Sequence, residues 1–248
     1  MLADSASPSS TPAPVVVLLH GSGLGPWIWE SVQSLLSLPS VALEVPSRKP
    51  KTDPERCARE LLSDPRFPSE GPVVLVLHSL SGVLESSMAG ALGGRLVQVV
   101  HLASVVPQAG TSFADTMGFP APFLLRFLFW RHPMGLSPSP SMLRAQLCGG
   151  LDASRTERVV ERFQPEFPGL FLEPVPEGKT VARRTYLLCT RDKSVPPRLQ
   201  RAIALRLGAV TREMDCGHLP MLSHPDVLAR HLVEVVGVAL KPGLESPT

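Results

Sequence analysis

The chain of 248 residues has no run of basic residues, no repeated aromatic pattern and a net charge of only +2. A nucleic-acid surface built from clustered cations and stacked rings is therefore not expected. Its four cysteines, Cys57, Cys148, Cys189 and Cys216, lie far apart and form no C-x-x-C pair, which weighs against a zinc site or a redox motif. Free, mostly buried thiols in a reducing cytoplasm are the expected state. No membrane span is expected, because the most apolar stretch outside the strand candidates, Phe123 to Trp130, is short and broken by Arg126. Residues 1–14, rich in Ser, Pro and Ala, lack the basic start and apolar centre of a secretory signal. They and residues 242–248 read as flexible tails. No internal repeat is present.

What remains is a sequence that is 44% hydrophobic, enough for one sizeable core. Its clearest apolar runs are continuous rather than alternating: Val15–Leu19, Val73–Leu77, Leu96–Val100 and Tyr186–Cys189, with Val41–Val45 and Val210–Met214 weaker. Strands of that kind are buried on both faces, as in a parallel sheet covered by helices. Helical spacing recurs between them, at Pro54–Leu62, Leu80–Leu92, Pro197–Leu207 and Asp226–Leu240. The alternation predicts an α/β class, a mostly parallel doubly wound sheet with residues 15–106 and 181–241 as its core. Residues 107–180 break the rhythm with prolines and a cluster of aromatics, and read as a helical cap inserted between two strands.

In an open α/β sheet, ligands bind where strands end. The first apolar run leads into His20-Gly-Ser-Gly-Leu-Gly, a turn whose glycines let backbone amides approach a reacting atom. Later strand ends carry Ser79, then Asp192, then His218. A serine hydroxyl needs a base to attack at neutral pH, a histidine can take and return that proton, and a buried carboxylate can hold the imidazole tautomer. Ser79, His218 and Asp192 are therefore the candidate nucleophile, base and orienting acid. Asp115, in the insertion, is the weaker alternative acid. The chain order Ser–Asp–His is that of an α/β-hydrolase.

From about Val15 to Leu240 the chain resembles the α/β-hydrolase superfamily. The segments "CTRDKSVPPRLQ" and "CGHLPMLSHPDVL" look most like the methylesterase and hydroxynitrile lyase branch and its bacterial relatives, with Asp192, Lys193, Pro196, His218 and Leu222 on the motif. "HGSGLGPWIWE" resembles the branch's His-Gly turn followed by a Trp-x-Trp pair. The resemblance implies an oxyanion hole at the backbone N–H groups of Ser22 and Leu80. It implies no cofactor and no metal. Contacts to a small-molecule ester substrate are expected from His20, Trp27, Phe123, Phe127 and Leu219, with His20 orienting the turn rather than reacting.

The departure lies in "LHSLSG". Leu77 and Ser81 stand where the nucleophile motif G-x-S-x-G has glycine. Ser81 is small enough for a close strand–helix approach. Leu77 has to sit in the core beneath Ser79, which should keep the positive φ of a strained elbow. His78 is expected to be buried beside it, and Cys189 and Cys216 to be neighbours behind it. His132, His224 and His231 read as surface residues, and His101 is left open as a lining residue.

The reading is a serine hydrolase, a carboxylesterase of small to medium apolar esters. A hydroxynitrile-lyase-like enzyme is the first rival, although plant lyases of the branch carry lysine where this chain has Leu219. A binding protein that keeps the fold without catalysis is the second. A homodimer stays open.

Overall fold

Valine and leucine runs without polar alternation can be buried twice over only where helices cover both faces of a sheet. A computed structural model of the chain describes residues 12–178 and 182–239. Apart from residues 12–14, the tails expected at 1–14 and 242–248 lie outside the described residues, as do residues 179–180 of the expected insertion.

The strands are β1 (Val15–Leu19), β2 (Ser40–Leu43), β3 (Val73–His78), β4 (Leu96–Leu102), β5 (Arg183–Cys189) and β6 (Val210–Met214). They form one sheet in the order β2-β1-β3-β4-β5-β6, and every neighbouring pair is parallel. The strand period of two sends alternate residues to opposite faces. Val17, Leu19, Leu75 and Leu77 join one core cluster, while Val16, Leu18, Val74 and Val76 join the other.

Helices α1 (Glu30–Leu35), α2 (Pro54–Leu62) and α3 (Glu85–Leu92) link the first four strands. Five more, α4 (Phe113–Thr116), α5 (Ala121–Arg131), α6 (Pro140–Gln146), α7 (Ala153–Arg162) and α8 (Gly169–Leu172), lie between β4 and β5. α9 (Pro197–Arg206) follows β5, and α10 (Pro220–Ser223) and α11 (Pro225–Ala239) follow β6. Cys57 and Leu61 of α2, Met88 of α3 and Ile203 of α9 cover the first face; Val32 of α1 and Leu228 and Leu232 of α11 cover the second. No helix among the described residues is long and apolar enough to cross a membrane.

Two local features differ from the sequence expectation. The helix expected from Leu80 begins as a 3₁₀ turn over Ser79–Leu84 and becomes α-helical only at Glu85. A further 3₁₀ turn, Pro26–Trp29, precedes α1, a pair that hydrophobic spacing alone did not signal. Because β1 is flanked by β2 on one side and β3 on the other, the chain reverses its winding direction between β1 and β3. The carboxyl ends of those two strands therefore border the crevice where such folds bind ligands.

Candidate active site

Ser79 directly follows β3, with φ +56, a left-handed conformation that an L-residue adopts at a cost of order 1–3 kcal/mol. Surrounding contacts hold it there. Its carbonyl accepts hydrogen bonds from Val105 N (3.0 Å) and Ser104 Oγ (3.3 Å). Ser81 Oγ donates to the His78 carbonyl at 2.9 Å, bracing the turn from inside.

The missing second glycine of the motif has moved by one residue. A Cβ at Gly82 would lie 2.2 Å from Ser104 Oγ and 2.4 Å from the Val105 carbonyl, so the 3₁₀ turn here packs tightly on the segment that follows β4. Ser81 can be a serine because Gly82 provides the close approach. Leu77 is wholly buried in the core cluster and is paired in register with Leu19 and His101. Restoring the motif with Leu77→Gly therefore removes a packed side chain, a loss of about 2–5 kcal/mol by analogy with other large-to-small core changes. Urea unfolding is expected to show that loss without a gain in turnover; unchanged stability would mean that Leu77 is not a core residue.

Three side chains from three strand ends meet at Ser79. His218 Nε2 lies 3.0 Å from Ser79 Oγ, and His218 Nδ1 lies 2.7 Å from Asp192 Oδ2. Asp192 is 4% exposed and His218 1%, so the bond between them is shielded from bulk water. The Asp192 carboxylate is held further: Oδ1 accepts from Ser194 N (2.7 Å) and Val195 N (3.0 Å), and Oδ2 from Gln200 Nε2 (3.1 Å). Gln200, wholly buried on α9, also donates to the Val195 carbonyl at 2.7 Å and accepts from Cys189 N at 3.0 Å. It thereby locks the Asp192 loop. Its place inside an amphipathic helix gave no sequence signal.

His78 packs on the other side of His218, ring centroids 4.8 Å apart, with Nε2 3.0 Å from the His218 carbonyl. Desolvation, and then the neighbouring His218, hold the His78 pKa well below the usual imidazole range. Neutral His78 thus donates through Nε2 and steadies the backbone that carries His218. His101, also fully buried, is lowered by desolvation, with Glu85 opposing and Arg184 and Arg206 adding to the shift. It stacks on Tyr186 and does not line the cavity.

Both histidines bind protons more readily in the unfolded chain, whose imidazoles titrate near about 6.5. Their contribution to stability is complete above that pH and is lost as pH falls through it. The urea midpoint is expected to drop between pH 7.5 and 5.5, with a shallower drop in His101→Asn. Equal slopes for the two proteins would contradict this assignment.

The turn after β1 lies against the nucleophile candidate. A Cβ on Gly21 would approach Ser79 Cβ to 2.7 Å. His20 accepts from Val45 N at Nε2 (2.9 Å), which leaves Nδ1–H to donate to the Gly21 carbonyl (2.8 Å). Among the described residues, the Ser22 N–H has no hydrogen-bond partner. The Leu80 N–H sits in the first turn of the 3₁₀ segment, where helical donors go unpaired.

A cavity of about 370 Å³ opens over Ser79 and His218. Its walls come largely from the helices between β4 and β5, through Phe113, Leu125, Phe129 and Leu143, with Phe163 beyond α7. Among the described residues, Asp, Glu, Lys and Arg do not contribute to the lining. Four further histidine and cysteine expectations resolve simply. His132 is exposed, His224 and His231 are half-buried, and Cys189 and Cys216 share one core cluster, where the Cys216 thiol donates to the Met214 carbonyl. All four cysteines are buried and free.

The expected substrate contacts need correction, since none of the five lines the cavity. His20 and Leu219 are buried, His20 in the turn and Leu219 in the core beside α10 and α11. Trp27 packs against the guanidinium groups of Arg158 and Arg162, 4.9 and 5.0 Å from its ring. Phe123 and Phe127 are on the right helix but the wrong face, 70% and 57% exposed, while Leu125 and Phe129 of the same helix reach the cavity. α5 is apolar nearly all round, so spacing could not tell its inner face from its outer one.

A sequence model of the alpha/beta hydrolase family matches residues 16–231. The chain belongs to that family. It is similar to norfluorocurarine synthase 2 of Strychnos sp, 26% identical, and to polyneuridine aldehyde esterase of Rauvolfia serpentina, 24% identical, each over 88% of this chain and 94% of the relative. Among solved structures, a methylesterase, MES16 from Arabidopsis, superimposes with a TM-score of 0.68 at 19% identity, over 91% of this chain and 99% of that one.

Proposed function

We propose that the chain is a serine hydrolase, a carboxylesterase that cleaves small to medium apolar esters through an acyl-enzyme on Ser79. The observation that carries the proposal is the hydrogen-bonded sequence Ser79 Oγ, His218, Asp192, with separations of 3.0 and 2.7 Å, at the floor of an uncharged apolar cavity. Esterase names among the relatives point the same way.

In this reading Ser79 Oγ attacks the ester carbonyl while its proton passes to His218 Nε2. Asp192 keeps Nδ1–H in place and stabilises the imidazolium. The oxyanion is met by the N–H groups of Ser22 and Leu80, donors of a kind worth about 2.7–4 kcal/mol each. Collapse breaks the bond to the alcohol, which takes the proton from His218. Water then enters, gives a proton to His218, attacks the acyl carbon and releases the acid, returning the proton to Ser79.

A lyase that handles cyanide gains no support from the position after His218. Leu219 is packed in the core, so no ammonium group is offered there. The cytoplasmic location that goes with this reading rests on four buried thiols left unpaired. The test is a panel of p-nitrophenyl esters of rising chain length, with an amide and a lactone. Turnover that favours medium-length esters over the amide and the lactone is expected. A flat response near background from folded protein would remove the esterase proposal.

A further inference from the structure

The oxyanion turn is not held by the sheet alone; the segment that leaves α7 clamps it from above. Gly23 N donates to Glu166 Oε1 at 2.8 Å, and Gln164 N donates to the Gly23 carbonyl at 2.9 Å. The Phe163 ring lies so close that a Cβ on Gly23, which has φ +69, would meet it at 2.0 Å. Glu166 is only 2% exposed. Its second oxygen accepts from Ser47 Oγ at 2.8 Å, and Arg48 Nη2 stands 3.3 Å from the first. Arg48 also donates to the Leu24 carbonyl and, at 2.6 Å, to Glu44. Backbone bonds between Glu166 and Leu136, 2.8 and 3.0 Å long, tie this segment to the cavity wall, which includes Leu136 and Phe163.

From this arrangement we infer that Glu166 is a positioning residue: by fixing the Gly23 N–H it orients the peptide next to Ser22, and so couples the inserted helices to the oxyanion donors. The inference rests on the hydrolase reading above. Its chemistry is geometric. The Ser22 N–H lies one residue before the pinned group and has no partner of its own among the described residues, so only the rigidity of the turn aims it. The Glu166 charge does not oppose the oxyanion unscreened, because Arg48 offsets it. A buried carboxylate with this set of donors is replaceable by an amide: the Gln oxygen can accept from Gly23 N while its NH₂ donates to Ser47 Oγ. It is not replaceable by Asp, whose shorter stem cannot reach both partners.

The experiment compares Glu166→Ala, Glu166→Asp and Glu166→Gln with wild type, using p-nitrophenyl butyrate turnover and the Ki of an alkyl trifluoromethyl ketone, whose adduct carries the oxyanion. For Glu166→Ala, kcat is expected to fall by about tenfold to a hundredfold, as for a misplacement of up to an ångström, with KM little changed. The ketone should weaken by the same factor as kcat/KM, Glu166→Asp should follow Glu166→Ala, and Glu166→Gln should recover most of the activity. The inference is overturned by a folded Glu166→Ala with wild-type kcat, by a loss confined to KM, or by a Gln variant as impaired as the Asp variant. The Gln and Asp pair decides the matter should Glu166→Ala not fold. A wild type without turnover removes the hydrolase reading and this inference with it; an active wild type with an unimpaired Glu166→Ala removes the inference alone.

Discussion

Ser79→Ala is expected to lower kcat/KM for an ester by about 10⁴- to 10⁶-fold, with the fold intact. The size follows from the loss of covalent attack altogether; what remains is binding and whatever the oxyanion donors do for a water molecule. Ser81 cannot take over. It is 1% exposed, and its hydroxyl is committed to the His78 carbonyl at 2.9 Å. A companion variant separates chemistry from strain. Ser79→Gly should be equally inactive yet more stable than Ser79→Ala, since glycine adopts φ +56 without the steric cost that alanine keeps. Steady-state kinetics and urea midpoints on the two variants check both halves. Residual turnover within tenfold of wild type in either would place the nucleophile elsewhere.

Asp192→Asn is expected to cost about 10⁴-fold in kcat, as removal of the carboxylate does in other enzymes that use this arrangement. The structure says which way the amide will turn. Two backbone donors, Ser194 N and Val195 N, face Oδ1 at 2.7 and 3.0 Å, and they will claim the amide oxygen. The NH₂ group then faces His218 Nδ1, which must give up its proton to accept. That leaves the proton on Nε2, pointing at Ser79 Oγ, in the tautomer that cannot act as a base. Gln200 Nε2, 3.1 Å from Oδ2, adds a second donor facing the new NH₂. A loss in kcat without a matching change in KM, with secondary structure preserved, is the expected pattern. An Asn variant keeping more than about a tenth of wild-type kcat would show that His218 does not depend on Asp192 in the way this geometry requires.

Much of this was legible in the residues because burial leaves a simple record. β1 and β3 were marked by their apolar runs almost to the residue, and Pro54 marked the first turn of α2, where Asp53 Oδ1 accepts from Arg56 N at 2.7 Å. Ser79, Asp192 and His218 could be placed at strand ends from chain order alone, and the structure brings all three together. What escaped notice depends on distances between segments far apart in the chain. Glu166 looks like any charged residue in a proline-rich stretch until Gly23, Ser47 and Arg48 are seen around it. Gly82 takes up a demand that the motif assigns to the preceding position, which only the approach of Ser104 and Val105 reveals. Phe123 and Phe127 were misplaced for the opposite reason: α5 carries apolar side chains toward solvent as well as toward the cavity, so its pattern contains no direction.

The central claim is that Ser79 becomes covalently acylated. It is tested most directly by treating the folded chain with an alkyl fluorophosphonate and locating the adduct by peptide mass mapping. The account predicts one adduct per chain, on the peptide carrying Ser79 and on Ser79 itself, absent from Ser79→Ala and strongly slowed in Asp192→Asn. A folded wild type that stays unmodified, or an adduct on Ser81 or any residue other than Ser79, would contradict it.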